Sequence, residues 1–116
     1  MQIEGGITMG LGYTLAEELR FLGGDILDRN FGTYEIPRFS WVPRIESVLV
    51  KNDELAPQGG GEPPITTTGA AIANALFDAT GARIYRLPMT ADRVREAMVR
   101  VNPSAAASAA QKPALA

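Results

Sequence analysis

Glu62 is the residue of this chain best placed to do chemistry. It stands in Gln58-Gly59-Gly60-Gly61-Glu62-Pro63-Pro64, one carboxylate held between flexible and rigid backbone. Three glycines permit positive φ and let a bulky ligand approach the main chain closely. Two prolines preset φ near the helical value and carry no N–H, which suits the first turn of a helix. Glu62 is therefore expected at a helix N-terminus, where the macrodipole favours the ionised form. A lone charged carboxylate beside a glycine-lined cavity is what a general base requires. The same position also reads as a plain helix cap after a loop. Spacing alone leaves both readings open.

The elements that must position this carboxylate can be read from pattern. An apolar, alanine-rich run after Pro64, from Ile65 through Gly69-Ala70-Ala71-Ile72 to Phe77, predicts a buried helix, and Thr80-Gly81 a C-terminal stop. Upstream, Ile3, Ile7, Leu11, Leu15 and Leu19 recur every fourth residue and predict a helix that starts at Gln2 and is ended by Glu17 and Glu18. Gly5, Gly6, Gly10 and Gly12 weaken it, unless another backbone or a ligand packs against them. Leu19 to Leu22 alternates like a strand, and Gly23-Gly24-Asp25 before Ile26-Leu27 predicts a short hairpin.

Residues 28–41 look irregular and gather half of the chain's aromatics, Phe31, Tyr34, Phe39 and Trp41. Such a loop is either pinned to the core by its rings or lines a partner surface or channel. Ile45 to Val50 is rich in β-branched residues and predicts a strand, with Lys51-Asn52-Asp53-Glu54 as its solvated exit. Ala82 to Leu87 predicts a short extended piece broken by Pro88, and Thr90 the cap of a last helix. The composition of residues 103–116 collapses to small and polar types, so a disordered tail is expected there. The fold class expected is α+β: two long helices, a short C-terminal helix and a small, mostly antiparallel sheet. A chain that opens inside a buried, glycine-rich helix also reads as part of a larger structure.

Composition narrows the chemistry further. The 116 residues hold 11 basic and 13 acidic side chains, a net charge of −2, which leaves no electrostatic footprint for nucleic acid. No apolar run approaches the roughly 20 residues needed to span a bilayer, so no membrane insertion is expected. No basic stretch precedes an apolar one at the start, so no export signal is visible and the compartment stays open. With neither histidine nor cysteine, the chain cannot hold a Ser-His-Asp or Cys-His centre, a Cys/His zinc site or a thiolate-bound cluster. No metal ligand is assigned to it.

Taken in order, Gln2-Ile3-Glu4-Gly5-Gly6 with Gly10-Leu11-Gly12, then Tyr34-Glu35-Ile36-Pro37-Arg38-Phe39, then Gly61-Glu62-Pro63-Pro64 ahead of Ala71-Ile72-Ala73-Asn74-Ala75, resemble one family. It is the molybdopterin-binding large subunit of the xanthine dehydrogenase and aldehyde oxidase family, in its isoquinoline 1-oxidoreductase and nicotinate dehydrogenase flavour. The resemblance implies that residues 1–102 are the C-terminal portion of a molybdopterin-binding domain, whose other cofactor-binding loops lie upstream. It implies hydroxylation of an N-heterocycle or aldehyde with water as the oxygen source. Glu62 would be the catalytic base, and Gln2, Gln58, Gly59, Gly60 and Gly61 would face the cofactor. The molybdenum–molybdopterin group would be shared with the remainder of the large subunit, and iron–sulfur clusters would sit only on a small partner subunit. The chain alone would be inactive. Two rivals remain: a non-catalytic remnant or interaction module that keeps the fold, and a small-anion binder using the glycine loop.

Overall fold

The computed structural model describes residues 1–103. The expected tail over 103–116 lies outside the described residues, Pro103 excepted. Three helices and one two-stranded antiparallel sheet make up the fold, an α+β arrangement: α1 Gln2–Leu15, β1 Phe21–Leu22, β2 Asp25–Ile26, α2 Glu62–Thr80 and α3 Ala91–Val101.

Helix α1 forms in spite of its glycines because Gly6 and Gly10 are where α2 touches it, and Gly12 is where Pro37 does. Gly6, Gly10, Gly12 and Thr14 are the buried positions of α1, while its leucine and isoleucine stripe is at best half-buried. A Cβ on Gly10 would lie 2.7 Å from the Cβ of Thr68, and one on Gly6 would lie 2.9 Å from the Gly61 carbonyl and the Pro64 Cβ. Small residues therefore let the two backbones approach closely, and Thr14 adds a hydrogen bond from its Oγ1 to the Gly10 carbonyl at 2.7 Å. Contacts rise together along both helices, from Gly6 with Pro64 to Gly10 with Thr68 to Gly69 with Thr14, so α1 and α2 run parallel.

Helix α1 stops at Leu15, just short of the expected end at Glu17 and Glu18. Residues spaced by four drift about 40° around a helix at each step, so a stripe from Ile3 to Leu19 leaves its face. The chain instead turns after Leu15, with the N–H groups of Ala16 and Glu17 both donating to the Gly12 carbonyl. Glu17 accepts from the Tyr34 hydroxyl at 2.8 Å, and Glu18 takes Arg93 of α3 at 2.7 Å and Arg86 at 3.6 Å. The Met89 N–H donates to the Thr14 carbonyl, fastening the approach to α3 against the end of α1.

The hairpin appears where the Gly-Gly turn predicts it, with Gly23 and Gly24 both at positive φ and Phe21 paired to Ile26. Its open end is clamped by Asp28, a buried carboxylate that accepts from the Arg20 backbone N–H at 2.6 Å and from its guanidinium Nη2 at 2.6 Å. The Arg20 guanidinium holds the Asp28 carboxyl below the usual carboxylate range, against a smaller opposing effect of burial. The folded state thus takes up this proton less readily than the unfolded chain. Its contribution is complete at neutral pH and is lost as the pH falls through the folded value, below about 3.9. The stability gap between the parent and Arg20→Met is expected to be full at pH 7 and to narrow towards pH 2. Urea unfolding at the two pH values measures it, and an unchanged gap contradicts the assignment.

Two expected extended pieces are absent. Ile45–Val50 carries no regular structure, and neither does 82–87. Strand propensity describes fit to a sheet surface, and among the described residues no strand lies alongside either segment. Of the four clustered aromatics only Tyr34 is held inward; Phe31 and Phe39 are exposed, Trp41 partly so. The alanine-rich run does form α2, closed by Gly81 in the left-handed region with its N–H on the Phe77 carbonyl, but not as the buried helix expected: among the described residues only its Thr68 is buried, because α1 covers one narrow stripe of it. Thr90 caps α3 through its side chain, as its position suggested.

Little apolar bulk is buried. Among the described residues Ala82, Met89 and Ala97 are the buried hydrophobic side chains, and the rest of the interior is glycine, threonine, proline and the clamped Asp28. The radius of gyration is 18.2 Å, against about 13 Å for a compact domain of this length. Stability of the α1–α2 pair thus rests on close approach. Gly10→Ala is expected to cost about 1–3 kcal/mol, since Thr68 is the wall it meets. Gly5→Ala, which meets nothing within 4 Å, is expected to raise stability by up to about 1 kcal/mol. Urea titration of the helical signal distinguishes the two.

Candidate functional site

Parallel packing brings the N-termini of α1 and α2 to the same end of the molecule. Each terminus carries the positive end of a helix dipole and N–H groups with no intrahelical acceptor. In α2 the prolines at 63 and 64 remove two of those donors, so its free polarity concentrates at Glu62 and in the loop before it. Glu62 occupies the first helical position, after Gly61 as N-cap, and its carboxylate makes no hydrogen bond to the backbone. It is exposed and has no ion pair or hydrogen-bond partner among the described residues. A plain helix cap would be bonded to the first turn; this carboxylate is not.

Glu62 opens onto a concavity of about 610 Å³ lined by Gly59, Gly61, Glu62, Pro63 and Thr66. The structure therefore brings Gly59, Gly61 and Glu62 together on one wall. Gln58 and Gly60 belong to the same loop, exposed, outside that lining. Gln2 is exposed at the start of α1, at the same end of the helix pair but likewise outside the lining. Glu4 pairs with the terminal amino group at 3.0 Å. Thr66 is the lining residue that sequence reasoning missed. It lies four positions after Glu62 and so on the same helix face, a spacing that could have found it.

The glycines of this loop are used differently from the expectation. None of Gly59, Gly60 and Gly61 has positive φ, and a Cβ on any of them would meet nothing within 4 Å. Within the chain no turn demands them. What they leave is unfilled space and bare N–H groups beside an unpartnered carboxylate. That donor set, with the amides of Gln2 and Gln58, suits an oxygen-rich, anionic group held by hydrogen bonds. Among the described residues no group of three His, Cys, Asp or Glu could hold a metal ion. Nor, among them, is any helix long and apolar enough to cross a membrane.

Comparisons with known proteins identify the family. Residues 1–43 match the family model described as a molybdopterin cofactor-binding domain. A nicotinate dehydrogenase polypeptide of Pseudomonas putida is 37% identical over 97 residues, covering 84% of this chain and 8% of that protein. The beta subunit of isoquinoline 1-oxidoreductase from Brevundimonas diminuta is 39% identical over 88 residues, covering 76% and 11%. The crystal structure of quinoline 2-oxidoreductase from Pseudomonas putida 86 superposes with a TM-score of 0.71 at 28% identity, over 84% of this chain and 13% of that one. The chain thus spans about a tenth of the length of these relatives. Fold, parallel helix pair and sequence together make it a molybdopterin-binding portion of the large subunit of the xanthine dehydrogenase and aldehyde oxidase family.

Proposed function

We propose that this chain supplies the catalytic base and one wall of the cofactor site in a molybdenum hydroxylase acting on an N-heterocycle or an aldehyde. The observation that carries the proposal is the unpartnered Glu62 carboxylate on the wall of the 610 Å³ concavity. Gln2 and Gln58, through their side-chain amides, and the backbone N–H groups of Gly59, Gly60 and Gly61 would hold the pterin-bound group. When bound, that group supplies two-electron redox chemistry. Glu62 accepts at its carboxylate the proton released as a water-derived oxygen becomes nucleophilic. Thr66, one turn further along α2, shapes the same wall.

The remaining pocket walls would come from the remainder of the large subunit, and the electrons would leave through iron–sulfur clusters on a small partner subunit. The large exposed apolar side chains, Phe21, Phe31, Phe39, Leu49 and Tyr85 among them, support such an assembly. Substrate-dependent dye reduction tests the reading. Turnover is expected from the assembled complex and none from this chain alone. Turnover by the lone chain would contradict it.

A further inference from the structure

Ile45-Glu46-Ser47-Val48-Leu49-Val50 combines features that conflict in an isolated chain. Val48, Leu49 and Val50 are 87%, 83% and 88% exposed, the longest consecutive run of large apolar side chains left in solvent among the described residues. None of the six residues makes a backbone hydrogen bond among the described residues. Their one polar contact among the described residues is the exposed Arg44–Glu46 ion pair at 2.6 Å. Ile45, Val48 and Val50, half of the run, are β-branched, and no glycine or proline interrupts it. Pro43 precedes it and Lys51-Asn52-Asp53-Glu54 follow, the charged flanks that keep an unpaired strand from pairing indiscriminately.

We propose that Ile45–Val50 docks as an added strand on the edge of a β-sheet in the remainder of the large subunit. The partner follows from proportion: the match accounts for 8–14% of its relatives' length, and the chain offers, among its described residues, only a hairpin of two-residue strands as sheet. A strand mode of docking follows from composition and from six free N–H and C=O pairs, which give main-chain affinity while alternate side chains give register. Apolar residues fall on both parities at the C-terminal end, Val48 and Val50 on one and Leu49 on the other. The receiving sheet is therefore covered on both faces at that point, as in a buried strand. The inference rests on the proposed assembly, yet concerns a segment apart from Glu62 and its concavity.

Hydrogen exchange, read by mass spectrometry on this chain alone and on the complex purified from the native host, tests it. The amides of residues 45–50 are expected to exchange freely in the lone chain and at least about 100-fold more slowly in the complex. Val48→Pro and Leu49→Pro each delete one N–H, and on a strand these point to opposite edges. At least one of them is expected to lower recovery of the complex by about tenfold or more. Val48→Thr, which keeps the strand geometry, should recover it nearly in full. All three lie outside the helices, so an unchanged far-UV spectrum certifies the fold of each variant. Overturning results are free exchange of 45–50 in an intact complex, full recovery of both proline variants, or protection arising from a second copy of this chain. A complex with unprotected 45–50 that still depends on Glu62 would sink this inference alone. Protection without dependence on Glu62 would sink only the catalytic reading.

Discussion

In the assembled enzyme, Glu62→Gln is expected to lower turnover by about 10² to 10⁴-fold while molybdenum content per complex stays unchanged. The size follows from what a positioned base contributes, about 2.7–5.5 kcal/mol of barrier. Glutamine keeps the length and shape of the side chain and removes only its capacity to take a proton. Nothing structural opposes the exchange, since the carboxylate forms no hydrogen bond or ion pair that would be lost among the described residues. Loss of a favourable charge at the start of α2 costs about 0.3–1 kcal/mol, well below the effect expected on rate. Turnover within threefold of the parent, with the cofactor retained, would remove Glu62 from the chemistry.

The second large effect is expected at a residue that never faces the concavity. Gly6 packs where α1 meets the start of α2, and its missing side chain leaves room for the Gly61 carbonyl and Pro64. Gly6→Val forces that junction apart. Overpacking there costs about 1–3 kcal/mol of stability. More importantly, it moves the loop bearing Gln58–Gly61 and Glu62 relative to Gln2. Displacing a reacting group by about 1 Å costs on the order of 10²-fold in rate. Molybdenum content and turnover should therefore fall together, unlike the split expected for Glu62→Gln. Gly5→Ala, one position away in open space, serves as the control. A Gly6→Val complex with full molybdenum and full turnover would contradict the parallel-pair geometry of the site.

Local signals carried much of this structure. Pro63-Pro64 placed the start of α2 and hence Glu62, Gly23-Gly24 placed the hairpin, and Thr90 and Gly81 placed two helix ends. The signals that failed were those whose partners are distant in sequence. The isoleucine and leucine stripe of α1 pointed to the wrong face, because the surface that packs is made of residues with little or no side chain. Glycines that weaken a helix by propensity turned out to be its contacts, a possibility that pattern allows but cannot rank. Ile45–Val50 has the composition of a strand but, among the described residues, no neighbour to pair with. In the site, helical spacing could have added Thr66. The freedom of Gly59–Gly61 was legible, whereas its use was not, since the chain itself never adopts the left-handed backbone there.

A parallel helix pair has one more consequence, for the order of folding. Two antiparallel helices can meet through a short local turn; α1 and α2 cannot. The contacts of Gly6 with Pro64 and of Gly10 with Thr68 each join positions nearly sixty residues apart. The entropy of closing that loop must be met before any close contact is made. Each helix must therefore be shaped before their mutual register is set. Loop entropy grows only slowly, by about 0.6 kcal/mol for each doubling of length. The connection between α1 and α2 can thus lengthen at small cost, while a single methyl on Gly10 shifts the register that the two helices share.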